Sequence, residues 1–231
     1  YGILNGAFGI VMDVNTGEIV AMATMGSYDP NHYQDVYDEA TAQALEEQYQ
    51  KALLLREGSP EYKAAMQSYN EAVAAARLRQ WRNRCVSDGY EPGSTFKLVT
   101  MSAALDSGSV TVNDSFYCGG HEDFKGRDQT LSCWKSAGHG AETLEEALGN
   151  SCNIAFGHIG LRIGGETFYD YINSFGFLDQ TGIDLPGEAK GLFFSKADLS
   201  GASTASLISA SFGQTFRITP VQLVRAVAAI V

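Results

Sequence analysis

Apolar residues recur at every second position through Phe8, Ile10, Met12 and Val14, and the chain turns at Asn15-Thr16-Gly17 into a second run with Ile19, Val20 and Met22. This alternation predicts an antiparallel hairpin over residues 7 to 24. A lone hairpin is marginal in water, so it needs helices or further strands against one face. Asp29-Pro30-Asn31 then breaks the pattern. From about Asp38 to Arg84 the chain is rich in Ala, Glu, Gln, Arg and Lys, with Gly58 the one glycine. Gly58 ends one helix, Ser59 caps the next and Pro60 fits its first turn, which predicts two antiparallel helices. Leu53, Leu54, Met66, Val73, Leu78 and Trp81 are expected to line their seam.

The pattern turns strongly apolar after Glu91-Pro92-Gly93-Ser94-Thr95-Phe96-Lys97, where Leu98, Val99, Met101, Ala104 and Leu105 predict a buried helix. A glycine-rich stretch from Cys118 to Gly140 reads as loops with short strands. Thr143 caps a helix bearing Leu144, Ala147 and Leu148, and a second apolar helix carries Ile154, Phe156, Ile159 and Leu161. Between these two stands Asn150-Ser151-Cys152-Asn153. Residues 181 to 188 read as turns, and Ala205 to Ala210 as a helix ended by Phe212-Gly213-Gln214. Thr219-Pro220 starts a last helix through Leu223, Val224 and Val227, expected to run on to Val231, and this suggests a truncated chain.

Two of these places carry candidate chemistry. Residues three apart share a helical face, so Lys97 lies one turn beneath Ser94. A serine hydroxyl becomes a nucleophile when a base takes its proton, and a buried lysine that has lost its own proton is such a base. The pair alone is weak, because Ser132 and Lys135 repeat the spacing in a stretch without helical periodicity. Ser151 and Asn153 put a hydroxyl and an amide between two apolar helices, which is costly unless they face a cleft. Ser68 and Asn70 repeat that spacing too, on a solvated helical face.

Composition narrows the classes. With 231 residues, 45% of them hydrophobic, the chain can bury a sizeable core. A formal charge of −11 argues against nucleic acid or an anionic membrane surface as partner. The first residues show no leader pattern. Cys85, Cys118, Cys133 and Cys152 match no metal-ligand spacing, and four histidines are scattered among them, so neither metal nor cofactor is expected. Cys118 and Cys133 either pair or remain free thiols. His139, alone between glycines, reads as a structural hydrogen-bond partner.

Glu91 to Lys97, then Ser151-Cys152-Asn153, Phe212-Gly213-Gln214 and Thr219-Pro220-Val221-Gln222 resemble, in this order, the motifs of class B penicillin-binding protein transpeptidase domains. The opening run Ile10 to Ala23 and Tyr28-Asp29-Pro30-Asn31 are similar to that domain's first hairpin and the segment after it, so the resemblance spans nearly the whole chain. Trp81-Arg82-Asn83-Arg84 and Val86-Ser87-Asp88 resemble the sporulation and division branch.

The resemblance implies an α+β fold of the penicillin-binding transpeptidase and serine β-lactamase type, with an antiparallel sheet packed on helices and an all-α region. The expected organisation is one partial domain over 1–231 with a helical-hairpin insert at about 38–84. It implies a serine D,D-transpeptidase that cross-links peptidoglycan stem peptides and is acylated by β-lactams. Ser94 would be the nucleophile, Lys97 its base, Ser151 a proton relay toward the leaving D-alanine, and Asn153 the contact to the substrate amide. The implied setting is the extracytoplasmic face of a bacterial membrane, with an anchor and dimerisation region expected upstream of Tyr1 and division or sporulation proteins as partners. The family's third motif, Lys-Thr/Ser-Gly, does not follow Ser151, and Lys190-Gly191 lacks its middle residue. The motif and the strands around it are therefore expected to be cut off. A serine β-lactamase or β-lactam sensor shares Ser-x-x-Lys but needs a route for water onto the acyl enzyme, and a non-catalytic scaffold is the other alternative.

Overall fold

A computed structural model describes residues 7–231. The described residues divide into two compact units, one formed by residues 7–9 and 22–85 and the other by residues 10–21 and 86–231. Strands β1 (Phe8–Met12) and β2 (Ile19–Thr24) pair as the expected hairpin. At its tip Asp13 N–H donates to Glu18 O, and Gly17 N–H to Asp13 O. Phe8, Val11 and Val20 remain exposed on this hairpin.

In the first unit, α1 (Glu39–Leu53) and α2 (Pro60–Gln80) form the expected antiparallel pair. Asp38 and Ser59 cap them by accepting from Thr41 N–H (2.9 Å) and Tyr62 N–H (3.1 Å). Their seam differs from the expected one. Leu54 is 87% exposed and Leu78 64%, and Leu53 is exposed as well, whereas Ala52 and Ala76 are buried and Tyr49 meets Tyr69 at 5.1 Å. The tyrosine pair lies across the two helices, and the leucines fall at the hairpin tip or on the outer face. Met66 and Val73 are half-buried, as a seam position requires. Trp81 is drawn to Tyr33 instead, donating its indole N–H to Tyr33 O at 2.7 Å.

The second unit holds the main core. A short helix α3 (Arg84–Ser87) leads into it. Helices α4 (Lys97–Asp106) and α6 (Asn153–Ile163) lie at its centre, and seven of the eleven residues of α6 are buried, as an apolar run on all sides demands. Gly157 and Gly160 on α6 leave room for Phe124 and Ser211, so α9 (Ala205–Ser211) packs closely on α6. Around these stand α5 (Leu144–Gly149), α7 (Gly165–Ser174), α8 (Lys196–Ser200) and α10 (Pro220–Ala228). Helices α7 and α8 lie in stretches for which the sequence pattern predicts no element. The expected sheet is present as separate antiparallel pairs: β3 (Ser115–Cys118) with β6 (Gly140–Thr143), and the two-residue β4 (His121–Glu122) with β5 (Leu131–Ser132). The last helix is regular over Pro220–Ala228 and passes at Ala229–Ile230 into a turn in which Ile230 and Val231 N–H both donate to Val227 O, so its regular part ends short of Val231. Among the described residues no helix is long and apolar enough to cross a membrane.

Candidate active site

Pro92 and Gly93 shape the turn that presents Ser94. Gly93 adopts φ +57°, a left-handed conformation that a side chain disfavours, and Gly93–Phe96 forms a 3₁₀ turn before α4 begins at Lys97. The helix start expected at Ser94 is therefore tighter than an α-turn. Three contacts fasten it. Gly93 N–H donates to Gly213 O at 2.9 Å, Thr95 Oγ1 donates to Pro92 O at 2.7 Å, and Phe96 is buried between Phe177 and Phe216 at 5.3 and 4.8 Å. One turn on, Thr100 Oγ1 donates to Ser211 O at 2.8 Å. Ser94 is left exposed on this anchored turn, while Lys97 is 1% exposed.

Ser151 comes from the corner between α5 and α6. Thr143 and Glu146 form a reciprocal capping box that starts α5. The chain then doubles back, with Ser151 at φ 52° and Cys152 as the N-cap of α6. Asn150 steadies the corner from both sides, donating Nδ2–H to Glu142 Oε2 (3.0 Å) and accepting on its carbonyl from Trp134 Nε1 (2.9 Å).

The two places meet at the Lys97 amine. Its Nζ lies 2.8 Å from Ser151 O, 2.8 Å from Asn153 Oδ1, 2.9 Å from Ser151 Oγ and 3.1 Å from Ser94 Oγ. Ser151 Oγ is itself 2.8 Å from Ser94 Oγ. The two carbonyl oxygens can only accept, so they take two N–H bonds. A neutral amine has two N–H groups and one lone pair, and the lone pair is then left facing the hydroxyls. Burial pushes the Lys97 pKa down to about 8, against smaller opposing effects of the Cys133 and Cys152 thiols. The site thus joins an exposed hydroxyl, a buried amine of lowered basicity and a bridging hydroxyl.

All four residues singled out in the sequence, Ser94, Lys97, Ser151 and Asn153, converge here. The look-alikes do not. Ser132 sits exposed in β5 opposite His121, and Ser68 is exposed on α2, accepting from Gln48. Gly213 was not expected to support Ser94; its tripeptide Phe212-Gly213-Gln214 stood out as a helix end and as one of the family-like motifs, without a structural role. Sequence reasoning also missed a cluster. The sulfurs of Cys118, Cys133 and Cys152 and a ring nitrogen of His139 lie within 4.8 Å of one another. Spread from 118 to 152 without a short Cys-x-x-Cys unit, they gave no metal-ligand spacing, and only the β3–β6 pairing and the α5–α6 corner bring them together. Cys118 and Cys133 are not paired; all four cysteines are free.

Known proteins share this arrangement of sequence and fold. The family described as "Penicillin binding protein transpeptidase domain" matches residues 7–231. The chain is 35% identical over 228 residues to "Stage V sporulation protein D" of Bacillus subtilis, covering 98% of this chain and 28% of that protein. It is 29% identical over 226 residues to "Peptidoglycan D,D-transpeptidase FtsI" of Escherichia coli K12, covering 96% and 29%. Among solved structures, Pseudomonas aeruginosa PBP2 in complex with WCK 5153 superposes with a TM-score of 0.70 at 26% identity, over 96% of this chain and 46% of that one. The chain spans less than a third of the length of these two curated relatives. An α+β fold of helices with small antiparallel sheets, matched over residues 7–231, assigns the chain to the penicillin-binding protein transpeptidase family.

Proposed function

We propose that the protein carrying this chain is a serine D,D-transpeptidase of peptidoglycan synthesis, with Ser94 as its acylated residue. The contact of one buried amine with both hydroxyls, Lys97 Nζ to Ser94 Oγ and Ser151 Oγ, carries the reading. Neutral Lys97 takes the Ser94 proton as Oγ attacks the carbonyl of the terminal D-alanyl-D-alanine bond of a stem peptide. Ser151, within 3 Å of both, passes a proton to the nitrogen of the leaving D-alanine. The ester on Ser94 is then attacked by an amine of a neighbouring stem peptide, whose proton returns through the same groups to Ser94. Asn153 holds Lys97 through Oδ1 and offers its amide nitrogen to the substrate. A β-lactam enters the same first step, because its strained amide presents the same kind of carbonyl to Ser94.

On this reading residues 1–231 belong to one transpeptidase domain with the helical hairpin as an insert at about 38–84, acting on the extracytoplasmic face of the membrane beside division or sporulation proteins. The test is labelling of the full-length protein with a fluorescent penicillin. Long-lived label that is lost in Ser94→Ala and retained in Ser132→Ala is expected. Rapid turnover of the label would identify a β-lactamase instead, and label that survives Ser94→Ala would overturn the choice of nucleophile.

A further inference from the structure

We propose that Cys118, Cys133, His139 and Cys152 form a closed, tetrahedral zinc site that fastens the loop of residues 119–139 to the corner bearing Ser151 and Asn153. A Cys₃His set is a donor combination of structural zinc, and the geometry needs little adjustment. Zinc bonds of ordinary length place the sulfurs about 3.8 Å apart and sulfur and nitrogen about 3.6 Å apart. Cys133 Sγ already lies 3.7 Å from His139 Nδ1. The farthest pair of the four, at no more than 4.8 Å, has to close by about 1 Å.

The surroundings support a ligand here. All three cysteines are buried, and the His139 side chain is only 3% exposed. His139 Nε2 is a buried polar atom without a hydrogen-bond partner among the described residues, so the ring's polar surroundings lie on its Nδ1 side, toward Cys133. Buried Glu142, with Oε2 3.8 Å from the same Nδ1, adds a negative charge beside the cluster that favours a bound cation. Ala155 N–H points at Cys152 Sγ (3.5 Å), a donor suited to a thiolate. Residues 119–139 contain no regular structure beyond the two-residue strands β4 and β5, so a metal would supply cross-links that a core otherwise provides. As zinc binds, the three thiols release their protons to solvent. Cys152 stands between Ser151 and Asn153, so the same bonds hold both of those positions.

The test needs no assumption about acyl transfer. Full-length protein, purified under reducing conditions without added metal, is measured for metal by elemental analysis and for its shell by zinc K-edge absorption. About one zinc per chain with three sulfurs and one nitrogen is expected. Cys118→Ser should lower bound zinc at least tenfold, while Cys85→Ser, outside the cluster, retains it. The wild-type shell decides the matter if the Cys118 variant does not fold. Less than about a tenth of an equivalent of zinc, a shell dominated by oxygen, or a disulfide among Cys118, Cys133 and Cys152 in the freshly purified protein would each overturn the proposal.

Discussion

If Ser94 is acylated as proposed, replacing Gly213 by alanine should slow that step without touching any of the groups proposed to move a proton. A Cβ built at Gly213 falls 2.0 Å from Gly93 O and 2.7 Å from its carbonyl carbon, whereas real Cβ contacts do not come under 3.0 Å. Neither atom is the end of a flexible side chain, so one backbone segment must move by about 1 Å, and Gly93 immediately precedes the proposed nucleophile Ser94. A displacement of that size at a reacting group costs on the order of 10²-fold in rate. A second effect comes from the backbone, since φ is +83° at Gly213 and a side chain there costs about 1–2 kcal/mol. Gly182→Ala separates the two. It has φ +77° with nothing within 4 Å of its Cβ, so it carries the conformational cost without the collision. The assay is the second-order rate constant for labelling by a fluorescent penicillin, measured beside the thermal midpoint. Both variants should melt lower than wild type, and only Gly213→Ala should lose about two orders of magnitude in labelling rate. A Gly213→Ala protein that labels within threefold of wild type, or a Gly182→Ala protein that is equally slowed, would refute the reasoning.

Three other outcomes follow from the same geometry. With the Lys97 pKa lowered to about 8, the labelling rate should climb about tenfold from pH 7 to pH 9 as the neutral amine accumulates, and a flat profile would remove Lys97 as the base. The sign for stability agrees: the unfolded chain holds the Lys97 proton up to its ordinary value of 10.5, so this group's contribution rises with pH between about 8 and 10.5. Ser151→Gly should be more stable than Ser151→Ala by up to about 1 kcal/mol, reversing the usual order, because only glycine relieves the positive φ; chemical denaturation of the two variants compares them. Thr100→Val should lose about 1–3 kcal/mol in the same measurement, since it strands the buried Ser211 carbonyl that the Thr100 hydroxyl satisfies.

What the sequence made legible was whatever local pattern controls. The caps at Ser59, Thr143 and Thr219 lie where side-chain chemistry puts them, and the two apolar helices that bring Ser94 and Ser151 together were readable from their periodicity. Lys97 was identifiable because a one-turn spacing is a local property. The seam of α1 and α2 was read only in part, because the leucines fall outside it and a tyrosine pair, Tyr49 and Tyr69, lies across it, and nothing in the periodicity of an Ala-rich helix says which stripe faces its partner. The Cys118, Cys133, His139 and Cys152 cluster was invisible for a different reason. Its members come from a strand end, a loop and a helix cap, and their meeting depends on the β3–β6 register and on the turn at Ser151.

Backbone strain marks the same centre from another direction. Among the described residues only two non-glycines have positive φ, Ser151 at 52° and Thr215 at 68°. Both belong to segments that close on Ser94. Thr215 lies two residues after Gly213, and its N–H donates to Glu91 Oε1 at 3.2 Å, three residues before Ser94. For a β-branched residue such a φ is an outlier that persists only where its surroundings over-determine it. Ser151 is held in the same way, with Asn150 before it tied to Glu142 and Trp134, and Cys152 after it buried in the thiol cluster. Glycine would relieve the strain at Ser151 but would bring no hydroxyl to Lys97 and Ser94. The conformation at Ser151 is therefore the cost of placing one oxygen within hydrogen-bond reach of two others, and the polar groups fixed around the corner are what sustain it.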